Sequence, residues 1–184
     1  MRSKEYERNI RLALDSLGIS IDLIAEKRLL FHPEAQELVV AEMDRNGNAY
    51  CLIPGAAKAW RTLQCAAGQD HVTLEIVSAF RSIDDQIEII RAKLDCAIPM
   101  QTILTLSAPP GFSEHHTGCA VDINTPGCVA REEPFEDTEA FAWLMANAGR
   151  FGYTLSYPRG NSLGFIYEPW HWFFRDSADY AHDC

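Results

Sequence analysis

Two short patches of this sequence carry side chains that can do chemistry together. The first runs Ser113-Glu114-His115-His116-Thr117-Gly118-Cys119-Ala120-Val121-Asp122, and the second is Glu168-Pro169-Trp170-His171. Imidazole nitrogen and carboxylate oxygen are ordinary zinc ligands, at about 2.0–2.2 Å from the ion. A catalytic zinc site needs three such ligands, an open fourth position for water and a further carboxylate to move the proton. His115, Asp122 and His171 are candidates for the ligands, and Glu168 for the free carboxylate. His115 and Asp122 alone are a weak signal. They also fit a plain reading in which Asp122 ends a strand at a turn and His115 is an ordinary loop histidine. The third candidate raises the odds, because Pro169 disfavours a helix and makes Glu168 and His171 flank a bend into a strand. Both can then face one cavity.

The elements that must position these residues follow from periodicity and breakers. Residues 5–17 read as an amphipathic helix with Ile10, Leu12, Leu14 and Leu17 apolar and Gly18 as a stop. A second short helix is expected over 21–30, ended by His32-Pro33. Strands at 37–41 and 49–53 flank Asp44-Arg45-Asn46-Gly47-Asn48, a hairpin signal because Asn-Gly accepts the positive φ of a tight turn. Pro54-Gly55 is expected to end the second strand. Residues 56–67 follow as a helix with Trp60 and Leu63 inward. Residues 72–80 read as a buried strand that leads into Arg81 and then a helix to about Asp95. Ser82 and Asp85 resemble a capping box at its start, and Ile87, Ile90 and Leu94 face inward. Arg81 therefore sits at a strand-to-helix junction, where rigid elements hold side chains firmly.

Beyond it, 99–107 is a short helix and Pro109-Pro110-Gly111 a turn into the first patch. Residues 119–124 form a strand and 131–137 a polar loop. Residues 138–148 form a helix with Phe141, Leu144 and Met145 inward. Strands at 151–157 and 164–167 flank a loop, and 170–174 is a last strand. The uneven mixture implies an α+β fold: a small antiparallel sheet flanked by helices, with the metal site in a cleft on the sheet. A single domain is expected over 1–184, with 1–70 a helical and hairpin N-terminal region and 71–176 the core that bears the motifs.

Composition narrows the function classes. The chain has 184 residues, 47% of them apolar, enough for a sizeable core. Its net charge of −10 argues against nucleic acid or an anionic membrane surface as partner. No stretch is long enough to span a bilayer. The start, Met1-Arg2-Ser3-Lys4-Glu5-Tyr6, lacks an apolar signal core. The expectation is a cytoplasmic protein as written, or an extracytoplasmic one if a leader has been trimmed. The six cysteines (Cys51, Cys65, Cys96, Cys119, Cys128, Cys184) form no CxxC pair. They read as reduced thiols that pack as small hydrophobes. Cys119 could approach a metal, but alternation with Ala120 points it away. His32, His71 and His182 read as polar surface, and Trp60 and Trp143 as core.

Ser113, His115, Gly118, Ala120 and Asp122 match Ser-x-His-x-x-Gly-x-Ala-x-Asp, and Glu168 to His171 match Glu-Pro-Trp-His. Upstream, Ser78-Ala79-Phe80-Arg81-Ser82 with Gln86 is similar to Ser-x-Tyr-Arg-Ser with a downstream glutamine. In that order, the three blocks resemble the zinc D-alanyl-D-alanine carboxypeptidases of the VanY type, within the LAS group of metallopeptidases. The resemblance covers about Leu74 to Phe174. It implies zinc held by His115, Asp122 and His171, with Glu168 as general base and acid. It implies that Arg81 binds a substrate carboxylate or the developing oxyanion. Gln86, Ser113 and Trp170 would shape the pocket for the terminal residue. The partner implied is a peptidoglycan stem peptide or a precursor ending in D-alanine. The pattern selects His115 over His116, because neighbours in an extended stretch point opposite ways. His116 is then a rim or supporting residue.

Two departures bear on specificity. Where the family reads Leu-Arg-Tyr-Pro, this chain has Leu155-Ser156-Tyr157-Pro158, with Arg159 nearby; and Trp172-Phe173-Phe174 follow the last histidine. The same chemistry would serve an L,D-carboxypeptidase, a D,D-dipeptidase or a stem-peptide endopeptidase. A non-catalytic zinc-binding domain on the same fold is the rival of another class.

Overall fold

The structure, a computed structural model, describes residues 2–176, with side chains from Tyr6 onward. In chain order the elements are α1 (Arg2–Leu17), α2 (Ile21–Glu26), β1 (Val39–Met43), β2 (Ala49–Leu52), α3 (Pro54–Gln69), β3 (Glu75–Ser78), α4 (Ile83–Asp95), α5 (Met100–Leu106), β4 (Ala120–Asn124), α6 (Glu139–Asn147), β5 (Tyr153–Leu155) and β6 (His171–Phe174). β1 and β2 form the hairpin, and the other strands make a four-stranded antiparallel sheet in the order β3-β4-β6-β5. The fold is α+β, with small antiparallel sheets flanked by helices.

β4 is the centre of the site. All five of its residues are buried, and period-2 alternation divides them between two faces. Val121 and Ile123 enter the main core with Trp60, Leu63, Phe135, Leu144 and Trp172. Asp122, between them, is turned to the opposite face. Register then fixes its neighbours: Asp122 lies opposite His171 on β6 and opposite Ser78 on β3. A second core joins the helices, with Ile10, Leu14, Leu17 and Ile24 packed on Ile90, Ile103 and Leu104. α4 is therefore held by α1 and α5, and its capping box of Ser82 and Asp85 is fully formed.

Several boundaries differ from the sequence reading. α2 ends at Glu26, because Arg28 takes a left-handed φ of 53°. The Arg28 N–H donates to Ala25 O at 3.0 Å and the Leu29 N–H to Ile24 O at 3.3 Å, a Schellman closure. It turns Leu29 toward Ala108, Tyr157 and Phe165. Pro54 starts α3 instead of ending the strand, since its missing N–H costs nothing at the first helical position. Residues 164–167 are not a strand. The Asn161 amide donates to Phe165 O at 2.8 Å, Ile166 N–H to Thr105 O at 3.0 Å, and Gly164 has φ 71°, so the backbone is satisfied without a ladder. The stretch 131–137 contains a 3₁₀ turn that buries Phe135 completely. Met145, read as inward, is 58% exposed, and Leu12, one of the apolar residues of α1, is 59% exposed, because each lies off the stripe its helix buries. Trp143 is at the core's edge, its indole N–H donating to Asp70 at 2.7 Å.

The N-terminal region presses on the loop that carries the first patch. His32 N–H donates to Gly111 O at 2.7 Å, and Ala35 N–H to His116 O at 2.8 Å. His32 is thus half-buried rather than surface. Its pKa is lowered by burial, against the attraction of Glu114. Cys51, Cys65, Cys96 and Cys128 carry thiols outside any disulfide. Cys184 and His182 lie outside the described residues.

Candidate metal centre and cleft

His115 belongs to a 3₁₀ turn, Glu114–Thr117, not to an extended stretch. Gly118 closes the turn with φ 67°. A Cβ there would meet Leu38 and Ile53 atoms at 3.0–3.1 Å, so both the conformation and the space require glycine. The turn sends His115 into the cleft and His116 behind it.

One ligand atom from each of His115, Asp122 and His171 lies within 4.8 Å of the others, and all three residues are buried. Asp122 Oδ1 is 3.3 Å from His115 Nε2 and 2.9 Å from His171 Nδ1. The far nitrogen of each ring is also held: His115 Nδ1 is 2.6 Å from Ala79 O, and His171 Nε2 is 2.9 Å from Glu114 Oε2. Acceptors on the outer nitrogens place those protons outward and turn the inner lone pairs to a common point. This is the arrangement that metal-binding histidines require. The donor set, two imidazoles and one carboxylate with an open side toward a cleft, fits zinc in a catalytic site. Without an ion, burial opposes charge on His171, but its hydrogen bonds to Asp122 and Glu114 prevail and hold its pKa up to about 10. Burial likewise opposes the Asp122 carboxylate, and His115 and His171 outweigh it and keep its pKa well below the usual range. A cation is therefore favoured at this point, and a metal must displace the proton that occupies it.

Glu168 lines the same cleft, with Oε2 3.9 Å from His171 Nδ1. Burial pushes its pKa up to about 7, with partial relief from His171. Its N–H donates to Tyr157 O, and its carbonyl accepts from His171 N–H, each at 3.1 Å; this forms the bend expected before the last strand. Tyr157 stacks on the His171 ring at 4.8 Å between centroids. The cleft has a volume of about 420 Å³.

Arg81 lines the cleft too. Its Nη1 donates to Gln86 Oε1 at 2.9 Å and its Nη2 to Ser78 Oγ at 3.1 Å. Ser113 and Trp170 are on the wall as expected. Gln86 is not. It is fully buried behind Arg81, and its amide donates to Ala108 O at 2.7 Å. Its part is to orient the guanidinium, not to touch a ligand. His116 is not a rim residue either. It is fully buried; Gly111 N–H donates to its Nε2 at 3.1 Å, so its Nδ1–H donates to Arg81 O at 2.7 Å. Burial lowers its pKa to about 4, which keeps the ring neutral. Cys119, with Sγ 3.8 Å from Thr117 O, is not among the cleft's lining residues.

Sequence reasoning passed over Glu114. This buried carboxylate joins His171 to Ser156, whose hydroxyl donates to Glu114 Oε2 at 2.6 Å. Burial opposes its charge, but His171 outweighs that and its pKa is lowered. The signal was its place one residue before a proposed ligand. Ser156 is where the family pattern has arginine. Arg159 does not replace it, since it pairs at the surface with Glu133 and Glu136 and stacks on Tyr167. Replacing Glu114 by Ala should lower zinc affinity about 10- to 100-fold, because His171 loses the acceptor that fixes its tautomer. Competition with a chelating dye reads this directly, and an unchanged affinity would show that the bond is incidental.

Residues 49–177 match the family model described as VanY, D-alanyl-D-alanine carboxypeptidase. The chain belongs to this family. Putative carboxypeptidase YodJ of Bacillus subtilis (strain 168) is 34% identical over 124 residues, covering 63% of this chain and 43% of that protein. The chain thus spans less than half the length of that curated relative. Among solved structures, the LdcB LD-carboxypeptidase, described for peptidoglycan recognition, superimposes with a TM-score of 0.69 at 28% identity over 77% of this chain and 69% of its own. The vancomycin resistance D,D-pentapeptidase VanY, in complex with Zn(II), gives a TM-score of 0.62 at 29% identity over 79% and 86%. Among the described residues, no helix is long and apolar enough to cross a membrane.

Proposed function

We propose that this chain is a zinc-dependent D,D-carboxypeptidase acting on peptidoglycan stem peptides or precursors that end in D-alanine. The observation that carries the reading is the convergence of His115, Asp122 and His171 donor atoms beside the buried Glu168 carboxylate, in one open cleft. Zinc in such a site supplies an acidified water and a Lewis acid for the scissile carbonyl. His115, Asp122 and His171 would hold it. Glu168, a buried carboxylate on the cleft wall, accepts the proton of the attacking water and passes it to the leaving amine. Arg81, oriented by Gln86 and Ser78, stabilises the oxygen that becomes negative. Ser113 and Trp170 shape the wall beside the terminal residue. The family description supports D-alanyl-D-alanine as the bond, and the net charge of −10 supports a small substrate rather than nucleic acid.

The likeness to LdcB supports a second reading, an L,D-carboxypeptidase with the same machinery. Zinc-loaded protein should release one alanine from a muramyl pentapeptide ending in D-Ala-D-Ala, leave the tetrapeptide intact, and lose this activity with chelator. Mass spectrometry reads all three. Loss from the tetrapeptide would replace the D,D assignment with the L,D one. A chelator-resistant reaction would remove zinc from the mechanism.

A further inference from the structure

The cleft holds more positive charge than the chemistry above employs. Arg81, Lys93 and Arg131 all line it, although the chain as a whole carries −10. Among the described residues, no carboxylate lies within ion-pair distance of any of the three. Arg131 is exposed, on the loop before the 3₁₀ turn, with a left-handed φ of 59°. Lys93 is better placed to act, because two elements fix it. It lies on α4 seven residues after Gln86, two helical turns or about 10 Å along the same face. Its Nζ donates to Ser107 Oγ at 2.6 Å, at the C-terminal end of α5.

The two cations differ in what remains to offer. The Nη1 and Nη2 atoms of Arg81 are engaged by Gln86 and Ser78, and Ser78 lies opposite Asp122 in the sheet register. Arg81 is thus at the metal end, where a carbonyl oxygen becomes negative. Lys93 lines the same cleft as Glu168 and Arg81, on the wall that α4 and the end of α5 make. Its ammonium has three donors, of which Ser107 takes one. Ser107, which accepts from the ammonium, still has its O–H to donate. Together they present an ammonium and a hydroxyl to an anion, a pair suited to one carboxylate group.

We propose that Lys93 and Ser107 form the subsite for the substrate's terminal carboxylate, leaving Arg81 to the developing oxyanion. This rests on the peptidase reading for the identity of the ligand, but the subsite can be tested without turnover. It makes the chain selective for peptides with a free C-terminus, since an amidated or continued chain offers Lys93 no charge and leaves it half desolvated.

The test uses zinc-loaded protein in a Glu168→Ala background, which removes hydrolysis. Binding of N-acetyl-D-Ala-D-Ala and of its C-terminal amide is measured by calorimetry, with Lys93→Met, Lys93→Arg and Ser107→Ala compared. The acid should bind about 10- to 100-fold more tightly than the amide. Lys93→Met should abolish that preference while the amide's affinity stays unchanged, and Lys93→Arg should retain part of it. An unchanged acid-to-amide ratio in Lys93→Met would overturn the proposal. So would an equal loss for both ligands, no preference in the parent, or a preference that follows an added side-chain carboxylate instead of the terminal one. Preference lost in Lys93→Met, but no hydrolysis of either peptide by the native protein, would keep the subsite and sink the peptidase reading.

Discussion

Glu168→Ala should abolish turnover of the D-Ala-D-Ala pentapeptide, by 10²- to 10⁴-fold or more, while zinc content remains stoichiometric. The expectation comes from position. Glu168 lines the cleft, and its carboxylate makes no hydrogen bond to the ligand set; Oε2 stands 3.9 Å from His171 Nδ1. Asp122 and Glu114 already occupy both nitrogens of that ring. Removing the carboxylate therefore takes away the proton carrier and leaves the donor atoms as they were. It also relieves a desolvated acid, whose burial raises its pKa to about 7, so the variant should fold at least as well as the parent. Single-turnover mass spectrometry alongside metal analysis checks both halves. Retained turnover would strip Glu168 of its role, and lost zinc would make it a fourth support of the metal.

The adjacent histidines should separate in the opposite way. His115→Ala should lose zinc, because it removes one of three converging donors. His116→Ala should keep zinc but lose stability. The ring of His116 is fully buried and joins Gly111 N–H to Arg81 O. Its removal leaves a cavity and two backbone groups without their partner, a cost of about 2–4 kcal/mol. For a chain of this size the melting temperature should fall by roughly 5–15 °C. Metal analysis and thermal melts of the two variants, run side by side, decide the matter. Zinc lost from His116→Ala at low temperature, with the fold intact, would mean that the ligand had been assigned to the wrong neighbour.

His115, Asp122, His171 and Glu168 were legible in the sequence because residue type and motif order already limit the chemistry. So was the capping box that starts α4, because Ser82 and Asp85 act within one turn of chain. The hairpin was legible for the same reason: Asn46-Gly47 specifies its own turn. Local patterns failed where tertiary contacts satisfy the backbone. Residues 164–167 carry strand-like types, yet the Asn161 side chain and Thr105 O take up their hydrogen bonds. Leu12 and Met145 are apolar but lie off the buried stripe, which only the packing partner defines.

The site divides in the same way. Sequence alone determined which side chains could bind a metal and move a proton. Tertiary structure decided the roles around them. Antiparallel register set Asp122 opposite His171, and a closed 3₁₀ turn sent His115 inward and His116 behind. Folding brought Glu114 to His171 from 57 residues away, withdrew Gln86 behind Arg81, and set Lys93 on the cleft wall. The physical reason is that a donor's identity is local, whereas its partner, burial and direction depend on segments distant in the chain that meet only when the core closes.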